Sequence, residues 1–203
     1  AAAAAKLASG MGYPVVLKIV SPDILHKTEA GGVLVGVKSA AEVKAGFAKI
    51  LANAKKYNRK AQILGVQVQQ MVGGGQEVII GAVTDPSFGK LVAFGLGGVL
   101  VEVMKDVTFR LAPATKDDAL SMLDGIAAAE MLKGVRGADP VNRTALAAVI
   151  RNVSQLVADF PEIAEMDLNP VFASKAGAIA ADVRIVCDWS PPPARFRPKH
   201  DDI

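Results

Sequence analysis

The sequence predicts an α/β protein built in two lobes. Three observations carry that expectation. Short β-branched apolar runs, such as Tyr13–Val20 and Gly32–Lys38, alternate with segments whose apolar residues recur at helical spacing. The run Gly73–Gly75 interrupts the chain between two such groups and reads as a hinge. Hydrophobic residues fill 51% of the 203 positions and charged residues 21%, which is enough for a core and too apolar for a disordered chain. The expected layout is a first lobe over 1–70, a second over 71–189, and an extended tail over 190–203, where "SPPPARFRPKHDDI" has no apolar periodicity.

The elements follow in order. "AAAAAKLASGMGYP" reads as the end of an Ala-rich helix, since it lacks the basic leader and long Leu-rich stretch of a signal peptide. With no initiator Met, the chain reads as a segment of a longer protein. Tyr13–Val20 and Gly32–Lys38 are strands joined by a loop. Ser39 and Glu42 have capping-box spacing, and Val43, Phe47, Ile50, Leu51 and Ala54 form one face of the helix they start. Gly65–Val72 alternates as a half-buried strand. "QEVIIGAVTD" and "KLVAFGLGG" make a hairpin through "DPSFG", and another strand lies near "DVTFRLAP". Thr115 with Asp118 caps a helix, and a longer one runs from about Asn142 to Asp159. A final hairpin pairs "AEMDLNPVF" with "AIAADVRIV" across "SKAG".

Bulk properties exclude several classes. A net charge of +3, from 23 basic and 20 acidic residues, is too even to argue for nucleic acid or membrane binding. No apolar run approaches the roughly 18 residues of a membrane span. The single cysteine, Cys187, cannot form an internal disulfide, which favours a reducing, cytoplasmic setting.

Four places carry candidate chemistry. Lys18 lies inside an apolar strand, where it either snorkels to water or lines a cleft that meets a phosphate. The loop "SPDILHKTEAGGV" holds His26 beside Lys27 and ends in Gly31–Gly32. It is either an ordinary loop, or one whose glycine amides approach an anion while a neutral imidazole accepts a phosphoryl group. Glu77 opens a strand just past the glycines, and its carboxylate either ends that strand or binds ribose hydroxyls. In the last hairpin, Glu165, Asp167 and Asn169 share one face by their spacing of two. A turn centred on Lys175–Ala176 puts Asp182 opposite Asn169 on that face, unless the register slips by one. Such a set is either a solvated hairpin face or a group of hard oxygen donors suited to Mg²⁺. Arg110, in the apolar context "TFRLAP", is a further candidate cation, either a surface residue or a phosphate contact.

Together these segments resemble the ATP-grasp domain of the NDP-forming acyl-CoA synthetases, the acetate–CoA ligase (ADP-forming) family, and are more distantly similar to the succinyl-CoA synthetase β subunit. The motifs are "GYPVVLKIVSPDILHKTEAGGV", "GQEVIIGAVTDPSFG", "FGLGGVLVEVMKDVTFRLAP", "GVRGADPVN" and "EMDLNPVFA" with "AIAADVRI". The resemblance implies an ATP-grasp fold, with nucleotide held between the sheets of two lobes. It implies a reversible reaction in which acyl-CoA, ADP and phosphate give acid, CoA and ATP through phosphohistidine, with ATP/ADP and Mg²⁺ as cofactors. By the same carry-over His26 takes part in the phosphoryl relay and Lys18 contacts nucleotide phosphates. Gln70, Met71, Val72 and Gly73 contact adenine at the hinge, and Glu77 takes the ribose. Lys27, Gly31, Gly32 and Arg110 belong to the phosphate-handling region, and Asp167, Asn169 and Asp182 serve Mg²⁺. The family's grasp domain starts several dozen residues earlier, and its CoA-binding and CoA-ligase domains are missing here. The expected partners are therefore those domains, in an oligomeric full-length form, and this chain alone is expected not to complete the reaction. The alternative is a nucleotide-sensing module of a fused protein acetyltransferase.

Overall fold

A computed structural model describes residues 1–98, 106–135 and 137–190. The chain divides into two compact units, Ala1–Val72 and Gly73–Ile203. Residues 191–203, the body of the expected tail, lie outside the described residues.

The first unit contains α1 (Ala2–Met11), β1 (Val15–Val20), β2 (Val33–Val37), α2 (Ala40–Tyr57) and β3 (Gly65–Gln70). Its strands form an antiparallel sheet in the order β2–β1–β3. Val15, Leu17 and Ile19 of β1 share one core with Ala4, Ala5 and Ala8 of α1 and Val43, Ile50 and Ala54 of α2. Both helices thus pack on the same sheet face, and the two-residue alternation of a strand turns Val16 and Lys18 away from them. The expected cap at α2 is present. Ser39 Oγ accepts from the Glu42 N–H at 3.2 Å, and the Glu42 carboxylate reaches back to the Lys38 N–H at 2.9 Å.

The second unit contains β4 (Gln76–Asp85), β5 (Gly89–Leu96), β6 (Val107–Leu111), α3 (Lys116–Asp124), a 3₁₀ turn (Ala129–Lys133), α4 (Arg143–Asp159), β7 (Ile163–Ser174), β8 (Gly177–Ala180) and β9 (Val183–Cys187). The antiparallel order is β6–β5–β4–β7–β8, with β9 also paired to β7. One face of this sheet is covered. Val78, Ile80, Val92, Phe94, Met166, Leu168 and Val171 are buried with Met122 and Leu123 of α3 and Leu146, Ile150 and Val157 of α4. Ser154, on the buried side of α4, accepts the Ala114 N–H on Oγ at 2.6 Å. The amphipathic stripes drive this packing, since burying each large aliphatic side chain is worth about 1.5–3 kcal/mol.

Strand β7 carries a step in its alternation. Met166 and Leu168 face the core, and then Val171 and Ala173 do, a spacing of three in place of two. The ladder to β4 shifts at the same place, from Val78↔Val171 to Ile80↔Leu168. The extra residue sits at Asn169–Pro170, a β-bulge that lets both halves of the strand keep their apolar residues inward. Among the described residues, no helix is long and apolar enough to cross a membrane.

Candidate functional site

In the first unit, Lys18 is 9% exposed and occupies the middle of β1. Val33 of β2 and Gln67 of β3 lie directly opposite it, and Gln69 lies opposite Val16, so the sheet face away from the helices is lysine bordered by amides. Strand β3 ends at Gln70, paired with Val15, and the Met71 N–H donates to the Pro14 carbonyl at 3.4 Å. Val72 closes this unit and Gly73 opens the next.

The histidine loop is pinned at both ends. Ile24 and Ala30 are buried, the Gln62 N–H donates to Asp23 Oδ2 at 2.6 Å, and Asn53 Nδ2 donates to the Gly31 carbonyl at 2.9 Å. Between the pins the chain makes one helical turn, closed by the Ala30 N–H donating to the His26 carbonyl at 3.1 Å. The His26 side chain stands out from this turn, 72% exposed, with Nδ1 3.6 Å from Glu29 Oε1. Lys27 is half-buried beside it.

The structure corrects the expectation for Gly31 and Gly32. Their amides do not await an anion: the Gly31 N–H donates to the Thr28 carbonyl at 2.9 Å and the Gly32 N–H to the Lys27 carbonyl at 2.8 Å. Gly31 is needed for its φ of +61°, and a Cβ on Gly32 would fall 2.5 Å from Ile19 Cγ2. The pair closes the turn and lets the loop press onto β1.

In the second unit, Glu77 alternates with buried Val78 and so lies on the sheet face that α3 and α4 leave open. The Gly97 N–H donates to the Glu77 carbonyl at 2.7 Å, and a Cβ at Gly97 would meet Glu77 at 3.0 Å, so Gly97 lets the chain just past β5 approach this residue closely. The last hairpin has the expected register. Pairs run from Ser174↔Gly177 to Val171↔Ala180, then resume with Leu168↔Val183 and Asp167↔Arg184 in the same register, which leaves Asn169 and Asp182 opposite each other. Asp167 alternates with buried Met166 and Leu168, and so shares the open face with Asn169, Asp182 and Glu165. Glu165, Asp167, Arg184 and Val186 line a shallow depression there with Gly81 and Ala93.

The electrostatics record this crowding. Burial raises the pKa of Asp167 above the usual carboxylate value; the like charge of Asp182 raises it further and the Arg184 guanidinium opposes both. Arg184 was not among the residues singled out from the sequence. Its signal there was its place two residues beyond Asp182, which puts both on one face of an extended strand. Among the described residues, no group of three or more His, Cys, Asp or Glu is arranged to hold a metal. Two aspartates and an amide are hard oxygen donors of the type Mg²⁺ takes, which keeps several waters and binds one or two carboxylates plus substrate phosphates.

Arg110 is not part of this face. It pairs with Val92, whose side chain is buried under the helices, and its guanidinium donates to Ser121 Oγ of α3 at 2.9 Å and to the Phe109 carbonyl at 2.8 Å. Directly opposite residues share a face, so Arg110 serves the helix side of β6 and not a phosphate on the open side.

The family described as "ATP-grasp domain" matches residues 1–187. The acetate–CoA ligase (ADP-forming) I subunit β of Pyrococcus furiosus is 49% identical over 183 residues, 90% of this chain and 79% of that subunit. The 4-hydroxybutyrate–CoA ligase (ADP-forming) of Nitrosopumilus maritimus is 50% identical over 186 residues, 91% of this chain but only 27% of that protein. The solved dinucleotide-forming acetyl-coenzyme A synthetase 1 of Ca. Korarchaeum cryptofilum, in complex with coenzyme A and Ca-AMPCP, superposes with a TM-score of 0.90 at 42% identity, covering 92% of this chain and 81% of that one. A second structure of that synthetase, with coenzyme A and Mg-AMPPCP and its phosphohistidine segment pointing towards the nucleotide binding site, gives 0.80 at 40% identity, covering 93% of this chain and 83% of that one.

Proposed function

The chain belongs to the ATP-grasp domain family, alongside the β subunits of ADP-forming acetate–CoA ligases, and from that premise we propose that it is the nucleotide-binding, phosphoryl-transferring part of an ADP-forming acyl-CoA synthetase. The reaction is acyl-CoA, ADP and phosphate to acid, CoA and ATP, run in either direction. The partners are the CoA-binding and CoA-ligase modules, which form the acyl phosphate and carry a phosphohistidine of their own. The similar proteins are ligases, and they give no support to a regulatory acetyltransferase module.

The observation that carries the reading is the hairpin register, which groups Asp167, Asn169 and Asp182 on an open sheet face. These oxygens would hold Mg²⁺ together with the nucleotide phosphates. The ion, when bound, neutralises charge on the phosphate oxygens during transfer. Lys18, nearly buried in the first unit, is that unit's cation for nucleotide phosphate. Glu77 accepts the ribose hydroxyls, and the backbone of Gln70–Gly73 takes the adenine. His26 Nε2 attacks the phosphorus of the partner's phosphohistidine; the new P–N bond forms as the old one breaks. The terminal phosphate oxygen of ADP then attacks the same phosphorus, and the His26 P–N bond breaks to return the lone pair to Nε2. Lys27 offsets charge beside His26, while Gly31 and Gly32 hold the turn that presents it.

Calorimetry with Mg·ADP tests the metal assignment. Asn169→Ala should weaken binding with Mg²⁺ present and leave it unchanged with Mg²⁺ chelated. An unaltered Mg²⁺ requirement would remove the hairpin from the site.

A further inference from the structure

Arg184 stands where a cation-binding face would be expected to exclude one. It lies directly opposite Asp167 in the β7–β9 ladder and two residues beyond Asp182, which sits in the link between β8 and β9. Two-residue spacing and direct opposition put all three side chains on the open face, and Glu165 is the diagonal neighbour of Arg184 across the same ladder. Arg184 also lines the depression that contains Asp167 and Glu165. Its guanidinium places a positive charge among these carboxylates.

We propose that Arg184 is a specificity-determining residue that makes this face select a metal–nucleotide complex over the bare divalent ion. The proposal rests on the assignment of Asp167, Asn169 and Asp182 to Mg²⁺. A bare divalent ion must approach the carboxylates against the charge of Arg184 and compete with it for Asp167. A metal already carried by ADP arrives as a net anion. Its phosphates then meet Arg184 attractively while its metal meets the aspartates. The arrangement keeps the carboxylates from trapping free divalent ions and commits them to nucleotide.

The test uses Mn²⁺ as probe, with binding to the chain read by electron paramagnetic resonance in the absence and presence of ADP. Arg184→Gln should tighten free Mn²⁺ about tenfold, equivalent to ~1.4 kcal/mol, and should not tighten Mn·ADP. Arg184→Lys, which keeps the charge, should behave as the wild type. Free Mn²⁺ affinity that is unchanged or weaker in Arg184→Gln overturns the proposal. So does an equal gain for Mn²⁺ and Mn·ADP, or an Arg184→Lys variant that behaves like Arg184→Gln. Asp182→Asn separates the two claims. If it leaves Mn·ADP binding intact, the metal assignment itself fails; if it weakens Mn·ADP while Arg184→Gln changes nothing, only the selectivity role fails. Arg184 is exposed at the surface, so loss of the fold is not expected to mask either result.

Discussion

Asp182→Asn removes one negative charge from the open face. Asp182 Oδ1 accepts the Val183 N–H at 3.1 Å, and the amide oxygen of the replacement can accept the same bond, so the junction between β8 and β9 keeps its local geometry. The expected loss is electrostatic. Two unit charges 4 Å apart interact by ~1 kcal/mol at the dielectric of water, and a divalent ion doubles that to about 2 kcal/mol. This converts to a roughly 30-fold weaker Kd for Mg·ADP. Isothermal calorimetry with Mg·ADP, and with ADP in chelator, separates the metal-dependent part. A loss of less than about threefold in the Mg-dependent part would refute the argument that this register builds a metal site.

Two further predictions concern stability. The pKa of Asp167 is raised chiefly by burial, so the folded state holds its proton more tightly than the unfolded chain does. Stability from this group is therefore present at low pH and lost as pH rises from the unfolded carboxylate value through the raised folded one. Asp167→Asn should raise the thermal midpoint of the metal-free chain at neutral pH, and the gain should vanish below the normal carboxylate range; a gain that is the same at both pH values would contradict the cause assigned. Ser154→Ala leaves the Ala114 N–H beside a buried helix face without its 2.6 Å acceptor, and should cost about 1–3 kcal/mol in urea unfolding. A cost within a few tenths of wild type would show that another acceptor takes over.

The hairpin was legible because its turn is short and its register is set from the turn outward. "SKAG" fixes the centre, and both β8 and β9 continue one register along β7. Even the bulge is written in the sequence: Met166, Leu168, Val171 and Ala173 are spaced two, three and two, a break in alternation that only an inserted residue reconciles with a one-sided core. Arg110 was not legible. In "TFRLAP" alternation makes Phe109 and Leu111 the apolar face, yet they are 50% and 58% exposed on the side opposite the helices, while Thr108 and Arg110 face α3, so the pattern points to the wrong side. The glycine amides were misjudged for a different reason. A glycine pair beside cations reads as an anion cradle, yet whether its N–H groups are free depends on which carbonyls the preceding turn presents. Here Lys27 and Thr28 present theirs. Arg184 is legible only from its place two residues beyond Asp182, because a pattern of oxygen donors does not point to a guanidinium.

In the proposed relay this chain carries a phosphoryl group on His26. The most direct measurement of that step is ATP formation from acyl-CoA, ADP and phosphate by the enzyme assembled with its CoA-ligase partner, followed alongside Mg·ADP binding. Because His26 is exposed, His26→Ala should leave the fold and Mg·ADP affinity unchanged. It should abolish ATP formation and, with labelled phosphate, leave the label on the partner's histidine. Wild-type ATP formation by His26→Ala would contradict the account.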